Sequence, residues 1–204
     1  MSEDHYFSAV PASADERRTL TVSLAGRDVQ VETASGVFSP GHVDVGTQVL
    51  LRHVAPPLGR VLDLGCGWGP IALAAGLMAP GTQVTAVDVN ERALDLVRRN
   101  ATRLGVAVRA VTPDAVGTDE RFDTIWSNPP IRIGKDALHD LLAAWLPRLA
   151  PGGTAWLVVQ KNLGSDSLAR WISDQRDGEG ESWGQLEKVG SSKGFRVLKL
   201  SAAN

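Results

Sequence analysis

The sequence predicts an α/β protein built on a doubly wound, mostly parallel sheet. Short apolar segments of strand length alternate with segments of helical spacing through the middle of the chain, and glycine-rich turns separate them. Crossovers between parallel strands are right-handed, so this alternation covers both faces of one sheet with helices. The length of 204 residues is that of one substantial domain.

The first part of the chain predicts a β-hairpin and then a short helix. Residues 19–24 and 28–32 alternate apolar and polar side chains, and Ala25-Gly26-Arg27 joins them as a turn. A glycine-containing loop, residues 35–41, follows the hairpin. A helix is expected around Asp44–His53.

The central part of the chain alternates strands with helices. Asn90 is a predicted helix N-cap and Gly105 a predicted C-cap, and the apolar residues between them recur at helical spacing. A later helix is expected to stop at Pro151-Gly152-Gly153. The predicted strands are residues 60–64, 83–87, 106–111, 121–126 and 154–159, and the predicted helices are residues 70–78, 90–105 and 138–149.

The C-terminal part predicts a second hairpin. Residues 185–189 and 195–200 are strand-like and flank a turn at residues 190–194. The sheet therefore has seven predicted strands and an antiparallel C-terminal edge. We divide the chain into a small N-terminal β extension, residues 1–35, and a main domain, residues 36–204.

Composition and charge exclude several classes of protein. The net charge of −2 argues against a protein held on nucleic acid by bulk charge alone. A single cysteine, Cys66, excludes an internal disulfide framework and a cysteine-rich zinc site, and the four histidines are scattered, so no metal site is expected. No apolar run approaches the ~18 residues that span a membrane, and the polar N-terminus is not typical of a signal peptide. We expect a cytoplasmic protein with no membrane partner.

A glycine-rich turn between the first central strand and its helix is the strongest local signal. It contains Gly65, Gly67 and Gly69, which allow a sharp turn and close approach to a ligand. A P-loop would need Gly-Lys-Ser/Thr, and the dinucleotide fingerprint would be one residue longer. Asp63 would repel a pyrophosphate but suits a cationic ligand, and Asp88 at the tip of the next strand suits a ribose hydroxyl. S-adenosylmethionine is cationic, contains a ribose and lacks phosphate, so we predict it as the cofactor.

The same residues resemble a known family. Together Asp63–Gly69, Val87-Asp88 and Leu149–Gly153 resemble the class I methyltransferase pattern, over roughly residues 35–200. The resemblance implies a Rossmann-like fold and an enzyme that transfers a methyl group. It also implies that Asp114, just past the third central strand, binds the adenine amino group of the cofactor.

The segment Trp126–Pro130 closes the fourth central strand with Asn-Pro-Pro. This resembles the signature of methyltransferases that act on planar amino groups, and the resemblance assigns Asn128, Pro129 and Pro130 to catalysis. The lone pair of such an amine is delocalised, so the nitrogen is a poor nucleophile. The Asn128 side-chain oxygen and the Pro129 carbonyl can accept both of its N–H bonds, and the prolines preorganise these acceptors. The family's next residue is aromatic, whereas this chain has Ile131.

The N-terminal part narrows the resemblance. His5–Ser8, Gly36–Ser39 and Asp44–Gln48 resemble the "methyltransferase small" domain, particularly bacterial guanine-N2 methyltransferases of small-subunit ribosomal RNA in a single-domain form. Two alternatives stay open for Ile131: Phe38 stacks on the target ring instead, or the substrate depends less on stacking. The residues that the resemblance implies at the border of the cofactor pocket are Phe38, Asp44, Gly46 and Thr47.

The resemblance predicts an N-methyltransferase acting on guanine N2 in ribosomal RNA or an assembling small subunit, with a monomer favoured. Protein-glutamine N5 or adenine N6 methylation by the same signature is the alternative, and a non-catalytic module that binds S-adenosylmethionine and RNA is a third reading. A local basic rim would support RNA binding. Its predicted members are Arg132, Lys135, Lys188, Lys193, Arg196 and Lys199.

Overall fold

A computed structural model describes residues 13–203 of the chain, so the His5–Ser8 segment of the resemblance lies outside the described residues. The described part consists of an antiparallel hairpin, a seven-stranded sheet and five α-helices. The strands are β1 (Arg17–Leu24), β2 (Arg27–Ala34), β3 (Arg60–Leu64), β4 (Gln83–Val87), β5 (Val108–Val111), β6 (Phe122–Ser127), β7 (Leu149–Gln160), β8 (Gln185–Ser192) and β9 (Phe195–Ser201). The helices are α1 (Val45–Leu51), α2 (Pro70–Met78), α3 (Glu91–Leu104), α4 (Lys135–Trp145) and α5 (Ser165–Asp174).

The large sheet has the strand order β5-β4-β3-β6-β7-β9-β8. The first five strands in that order pair in parallel, and β9 pairs antiparallel with both β7 and β8. This topology confirms the predicted doubly wound α/β fold, the seven strands and the antiparallel C-terminal hairpin at one edge. Because the chain moves outward in one direction from β3 to β5 and in the other from β6, a crevice opens between the carboxyl ends of β3 and β6.

Local signals in the sequence explain the best-predicted elements. The side chain of Asn90 accepts hydrogen bonds from the backbone N–H groups of Arg92 and Ala93, which confirms the predicted N-cap of α3. Gly105 ends that helix in the left-handed conformation, with φ of 66°. Asp44 caps α1 in the same way as Asn90 caps α3.

Two features of the fold differ from the prediction. Helix α4 ends at Trp145, earlier than expected, and Pro151-Gly152-Gly153 is not a helix stop but lies inside strand β7. The pairing of β6 with β7 shifts register between Phe122 and Thr124, opposite that segment. Glycine at position 153 allows β7 to approach β6 closely, because a Cβ there would lie 3.0 Å from the Asp123 carbonyl oxygen of β6. Helix α5 was not predicted at all.

The N-terminal hairpin packs against helices α2 and α3 through a shared core. Leu24 and Val31 belong to one apolar cluster with Trp68 of the glycine-rich turn and Leu96 of α3. The buried side chain of Asn100 also exchanges two hydrogen bonds with the backbone of β2, at 2.7 and 2.9 Å. A division of the chain at residue 35 stays a prediction.

Residues 13–203 contain neither a candidate membrane-spanning helix nor a metal-binding cluster. No helix in this range is long and apolar enough to cross a membrane. The same residues contain no group of three or more histidine, cysteine, aspartate or glutamate side chains that could hold a metal ion.

Candidate active site

A cavity of about 450 Å³ opens at the crevice between the carboxyl ends of the parallel strands. Its volume lies in the range of small-molecule sites. The glycine-rich turn after β3 borders one part of the cavity, and the Asn-Pro-Pro turn after β6 borders another. The predicted site residues in its lining are Phe38, Asp44, Gly65, Gly67, Asp88, Asn128, Pro129 and Pro130.

The glycine-rich turn is held to the next strand by backbone hydrogen bonds. The N–H groups of Gly65 and Cys66 both donate to the carbonyl of Val87, at 2.9 and 3.0 Å. Gly65 and Gly67 have positive φ angles of 75° and 53°, which only glycine adopts readily. At both positions the nearest contact of an added Cβ would be 3.8 Å away, so backbone rather than packed side chain faces the cavity there.

Asp88 joins the tip of β4 to this turn. Its carboxylate accepts the N–H of Gly67 at 2.9 Å through Oδ2 and the N–H of Asn90 at 2.9 Å through Oδ1. Burial raises the pKa of the Asp88 carboxyl, and the backbone donors oppose that rise. Each carboxylate oxygen has a second lone pair, so Asp88 can still accept a ligand hydroxyl.

Asp63 lies deeper than the cavity lining. The side chain is fully buried, and Oδ2 accepts the N–H of Ala72 in the first turn of α2 at 2.9 Å. Oδ1 is buried without a hydrogen-bond partner among the described residues. Burial, opposed by the Ala72 donor, raises the pKa of the Asp63 carboxyl to about 8, and the nearby Asp88 charge contributes.

The structure places three other predicted cofactor residues away from the main lining. Gly69 is the left-handed residue before α2, and a Cβ there would lie 2.9 Å from Val97 Cγ2, so its role in the fold is close packing of α2 on α3. Asp114 is exposed, although its neighbour Pro113 lines the cavity. Thr47 is buried and lines a small side pocket that adjoins the main cavity.

The loop that carries Phe38 forms one wall of the cavity. Two side chains hold this loop by its backbone: Asn90 Nδ2 donates to the Gly36 carbonyl at 2.8 Å, and Trp68 Nε1 donates to the Ser39 carbonyl at 3.2 Å. Phe38 is 40% exposed, and its Cβ lies over the glycine-rich turn, 3.8 Å from where a Gly67 Cβ would be.

Asn128 is the polar side chain of the second turn. Its Nδ2 donates to Asp44 Oδ2 at 2.8 Å and to Thr47 Oγ1 at 3.2 Å. The Asn128 Oδ1 atom accepts no hydrogen bond from residues 13–203. The carbonyl of Pro129 accepts the N–H of Ile131 at 2.9 Å and keeps one lone pair available.

The side of the cavity next to Asn128 is largely apolar, and sequence reasoning missed most of it. Trp145 is buried in the core and also lines the cavity. The Gln160 side chain is half-buried and forms no hydrogen bond with another described residue. The apolar lining residues come from four separate segments of the chain, and only the assembled fold brings them together. The apolar lining residues are Ile131, Leu141, Trp145, Leu163 and Phe195.

The predicted basic rim is only partly free. Lys188 Nζ lies 2.6 Å from Asp166 Oδ1, and Arg196 pairs with the same carboxylate. Two predicted members, Arg132 and Lys193, are exposed and form no ion pair with a described residue. Lys161, which is not in the predicted rim, is likewise exposed and forms no ion pair with a described residue. Arg132 lines the cavity, and the backbone N–H of Lys161 donates to the Gly194 carbonyl, in the β8–β9 turn, at 2.8 Å.

Residues 28–199 match the family model described as Methyltransferase small domain. The chain belongs to this family. Membership in the methyltransferase small domain family confirms the predicted resemblance and makes the chain a methyltransferase domain. One relative is an uncharacterized Bacillus subtilis protein, YbxB, which is 32% identical over 205 residues and matches across 98% of both chains.

Other relatives of the chain are longer. The ribosomal RNA small subunit methyltransferase C of Shewanella amazonensis is 33% identical over 166 residues, which is 78% of this chain and 49% of that protein. The chain thus spans about half the length of the ribosomal RNA methyltransferases that it matches. Among solved structures, the T. thermophilus 16S rRNA N2 G1207 methyltransferase in complex with AdoMet and guanosine superimposes with a TM-score of 0.77. That match covers 94% of this chain and 52% of the other at 23% identity, and it shows the shared fold.

Proposed function

We propose that the protein is an S-adenosylmethionine-dependent N-methyltransferase that acts on the exocyclic N2 amine of a guanine in ribosomal RNA. One observation carries the proposal: the glycine-rich turn, the Asp88 carboxylate and the Asn-Pro-Pro turn border a single cavity in a methyltransferase fold. A cofactor held at the first two features would lie next to a substrate held at the third.

The residues present fit S-adenosylmethionine. At Gly65 and Gly67 the backbone can approach a ligand closely, and the carboxylate of Asp88 can accept ribose hydroxyls. Two carboxyl groups lie where a dinucleotide site would bind phosphate: Asp88 borders the cavity, and Asp63 is buried behind the turn. A cationic group at the turn would lower the pKa of Asp63 and favour its ionised form, and Asp63 Oδ1 is a buried oxygen without a partner among the described residues. When bound, S-adenosylmethionine supplies an electrophilic methyl group.

The protein's contribution to the reaction is to orient the amine. Asn128 Oδ1 and the Pro129 carbonyl oxygen are two acceptors on one rigid turn, and each would accept one N–H of the target nitrogen. This arrangement favours a pyramidal nitrogen whose lone pair points away from both acceptors. Neither group is a base, so the proton leaves to water after methyl transfer has made the nitrogen cationic. Proximity and orientation provide most of the acceleration.

The apolar part of the cavity suits the flat face of a base. Ile131 and Leu141 offer aliphatic contact, and Trp145 adds a buried aromatic surface. A guanine in folded RNA would reach this surface from an unpaired loop, or by flipping out of its stack at a cost of a few kcal/mol.

Two facts support ribosomal RNA as the substrate. Relatives at about one-third identity are named ribosomal RNA small subunit methyltransferases. The exposed cations Arg132, Lys161 and Lys193 flank the side of the cavity that would receive the base, where phosphates would pass. A cytoplasmic location and a monomer stay predictions.

Labelled S-adenosylmethionine and small ribosomal subunits from cells that lack the protein test the proposal. Nucleoside mass spectrometry of the labelled RNA should find N2-methylguanosine, and the Asn128→Ala variant should give almost none. Label in N6-methyladenosine, or in glutamine of a ribosomal protein, would show that adenine N6 or glutamine N5 is the methyl acceptor and not guanine N2. Tight binding of S-adenosylmethionine and RNA with no transfer to any acceptor would favour a non-catalytic module.

A further inference from the structure

We propose that Asp44 is a positioning residue that fixes the orientation of the Asn128 side-chain amide. The inference rests on the proposed function, because it assigns the Asn128 oxygen the task of accepting an amine hydrogen. It adds a residue that touches neither the cofactor's methyl group nor the target nitrogen but determines which end of the amide faces them.

A single oxygen of Asp44 serves three donors. Asp44 Oδ2 lies 2.8 Å from Asn128 Nδ2, 2.7 Å from the backbone nitrogen of Gly46 and 3.3 Å from that of Thr47. The two backbone contacts are the N-cap of α1 and would hold the carboxylate in place without Asn128. The acceptor that meets Asn128 is therefore preorganised by the helix.

This acceptor can select only one amide orientation. An ionised carboxylate accepts hydrogen bonds and cannot donate, so it pairs with the NH₂ end of Asn128 and repels the oxygen. Thr47 Oγ1, 3.2 Å from the same Nδ2, is occupied as a second acceptor. With the NH₂ group committed to α1, Oδ1 is the end that remains for a substrate. With the amide reversed, the NH₂ group of Asn128 would face the N–H groups of the target amine, and two sets of donors cannot form hydrogen bonds with each other.

Gly46 makes room for this contact. A Cβ at residue 46 would lie 2.9 Å from Asp44 Oδ2 and 2.9 Å from Phe195 Cε1. Any larger residue there would displace either the carboxylate or the Phe195 ring, which lines the cavity. Gly46 is therefore needed for the contact between Asp44 and Asn128. It is not needed for its backbone conformation, because its φ angle is not positive.

Two substitutions at residue 44 separate positioning from helix capping. Asparagine, aspartate and serine are comparable N-caps. Asp44→Asn keeps a side-chain oxygen at the position of Oδ2, so it can still cap α1 and accept from Asn128. Asp44→Ser caps α1 through a side chain one bond shorter, which cannot reach Asn128. The thermal stabilities of the two variants should therefore be similar, while their effects on Asn128 differ.

Methyl-transfer kinetics are the first readout. We expect Asp44→Ser to lower kcat about 10- to 100-fold, the range expected for a slightly misplaced catalytic group, while KM for S-adenosylmethionine stays close to that of the wild type. Asp44→Asn should retain most of the activity. In an Asn128→Ala background Asp44→Ser should cause little further loss, because the residue that it positions is gone. Equal activities of Asp44→Ser and Asp44→Asn would overturn the inference.

The second readout does not need turnover and keeps the inference separate from the proposed substrate. In a ¹⁵N spectrum, the side-chain amide signals of Asn128 are identified by their loss in Asn128→Ala. We expect slow hydrogen exchange at these protons in the wild type and in Asp44→Asn, and fast exchange in Asp44→Ser. Unchanged protection in Asp44→Ser would overturn the positioning role even if no methyl acceptor had been found. Failure of the wild type to methylate ribosomal RNA, with the exchange pattern as expected, would instead refute only the substrate.

Discussion

The carboxylate of Asp88 accepts the backbone N–H of Gly67 at 2.9 Å and so joins the end of strand β4 to the glycine-rich turn after β3. The same carboxylate borders the cavity and holds the N–H of Asn90 at the start of α3. One half-buried side chain therefore shapes the turn and presents acceptors to a ligand. Loss of this side chain should affect cofactor binding more than it affects the chemical step.

Asp88→Ala should weaken S-adenosylmethionine binding by about 10- to 100-fold, since it removes charge-assisted hydrogen bonds worth roughly 1.5–3 kcal/mol each. Isothermal titration calorimetry checks this. Asp114→Ala is the comparison, because it tests the implied adenine contact at an exposed position outside the cavity lining. We expect a smaller loss there. An unchanged dissociation constant in Asp88→Ala would remove its ribose role.

Asn128→Ala should reduce methyl transfer about 10²-fold or more, by analogy with the loss of one preorganised polar group in other active sites. Cofactor affinity should stay near the wild-type value, because no contact of the glycine-rich turn is removed. Single-turnover assays measure the transfer, and calorimetry measures the binding. Gln30→Ala is the matched control: this side-chain amide is exposed on β2 and lies outside the cavity lining, so activity should persist. Full activity of Asn128→Ala would contradict the proposed mechanism.

Most of the fold could be predicted because its signals are local. Strand β3, helix α2 and strand β4 match their predicted bounds, and the caps at Asn90 and Gly105 lie where the side-chain and glycine signals place them. Pro151-Gly152-Gly153 misled the prediction, because proline and glycine usually end a helix. Here they lie in a strand, and only the neighbouring backbone of β6 shows why: Gly153 must approach it closely.

The candidate site was less predictable than the fold. The two turns could be found because each follows a strand and carries its own short pattern. The contact between Asp44 and Asn128 joins residues 84 positions apart. The sequence places Asp44 at the start of a helix, and the resemblance places it at the border of the cofactor pocket, but neither indicates its contact with Asn128. The apolar lining near Asn128, which includes Leu163 and Phe195, is contributed by elements far apart in the chain. Such groupings depend on tertiary packing and have no local signature.

Asp63→Asn should make stability less dependent on pH. The pKa of the buried Asp63 carboxyl is about 8, against about 3.9 in an unfolded chain. Between these values the folded protein holds a proton that the unfolded chain has released. The free energy of unfolding therefore falls as pH rises from about 4 to 8, by up to about 1.4 kcal/mol per pH unit from this group, and the contribution is constant outside that window.

Asparagine is uncharged and its side-chain oxygen can still accept from Ala72, so Asp63→Asn should remove this slope and be more stable than the wild type above neutral pH. Urea unfolding of the cofactor-free protein at several pH values gives the difference between the two curves. Asp88 also has a raised pKa and is present in both proteins, so that difference isolates Asp63. Parallel curves from pH 4 to 8 would show that Asp63 titrates normally.

The free cations beside the cavity should determine how RNA affinity depends on salt. Neutralising one phosphate contact changes the slope of log affinity against log salt by about 0.7 for single strands and 0.9 for duplex. Lys161 forms no ion pair with a described residue, whereas Lys188 is held 2.6 Å from Asp166. Lys161→Ala should reduce the slope by about that amount. Lys188→Ala should reduce it less, because Lys188 already forms an ion pair with Asp166 and is less available to a phosphate.

Binding titrations of one RNA fragment at several salt concentrations measure both slopes. Equal slopes for the wild type and Lys161→Ala would exclude this lysine from the RNA contact, and a larger effect of Lys188→Ala would place the RNA along the β8–β9 hairpin instead.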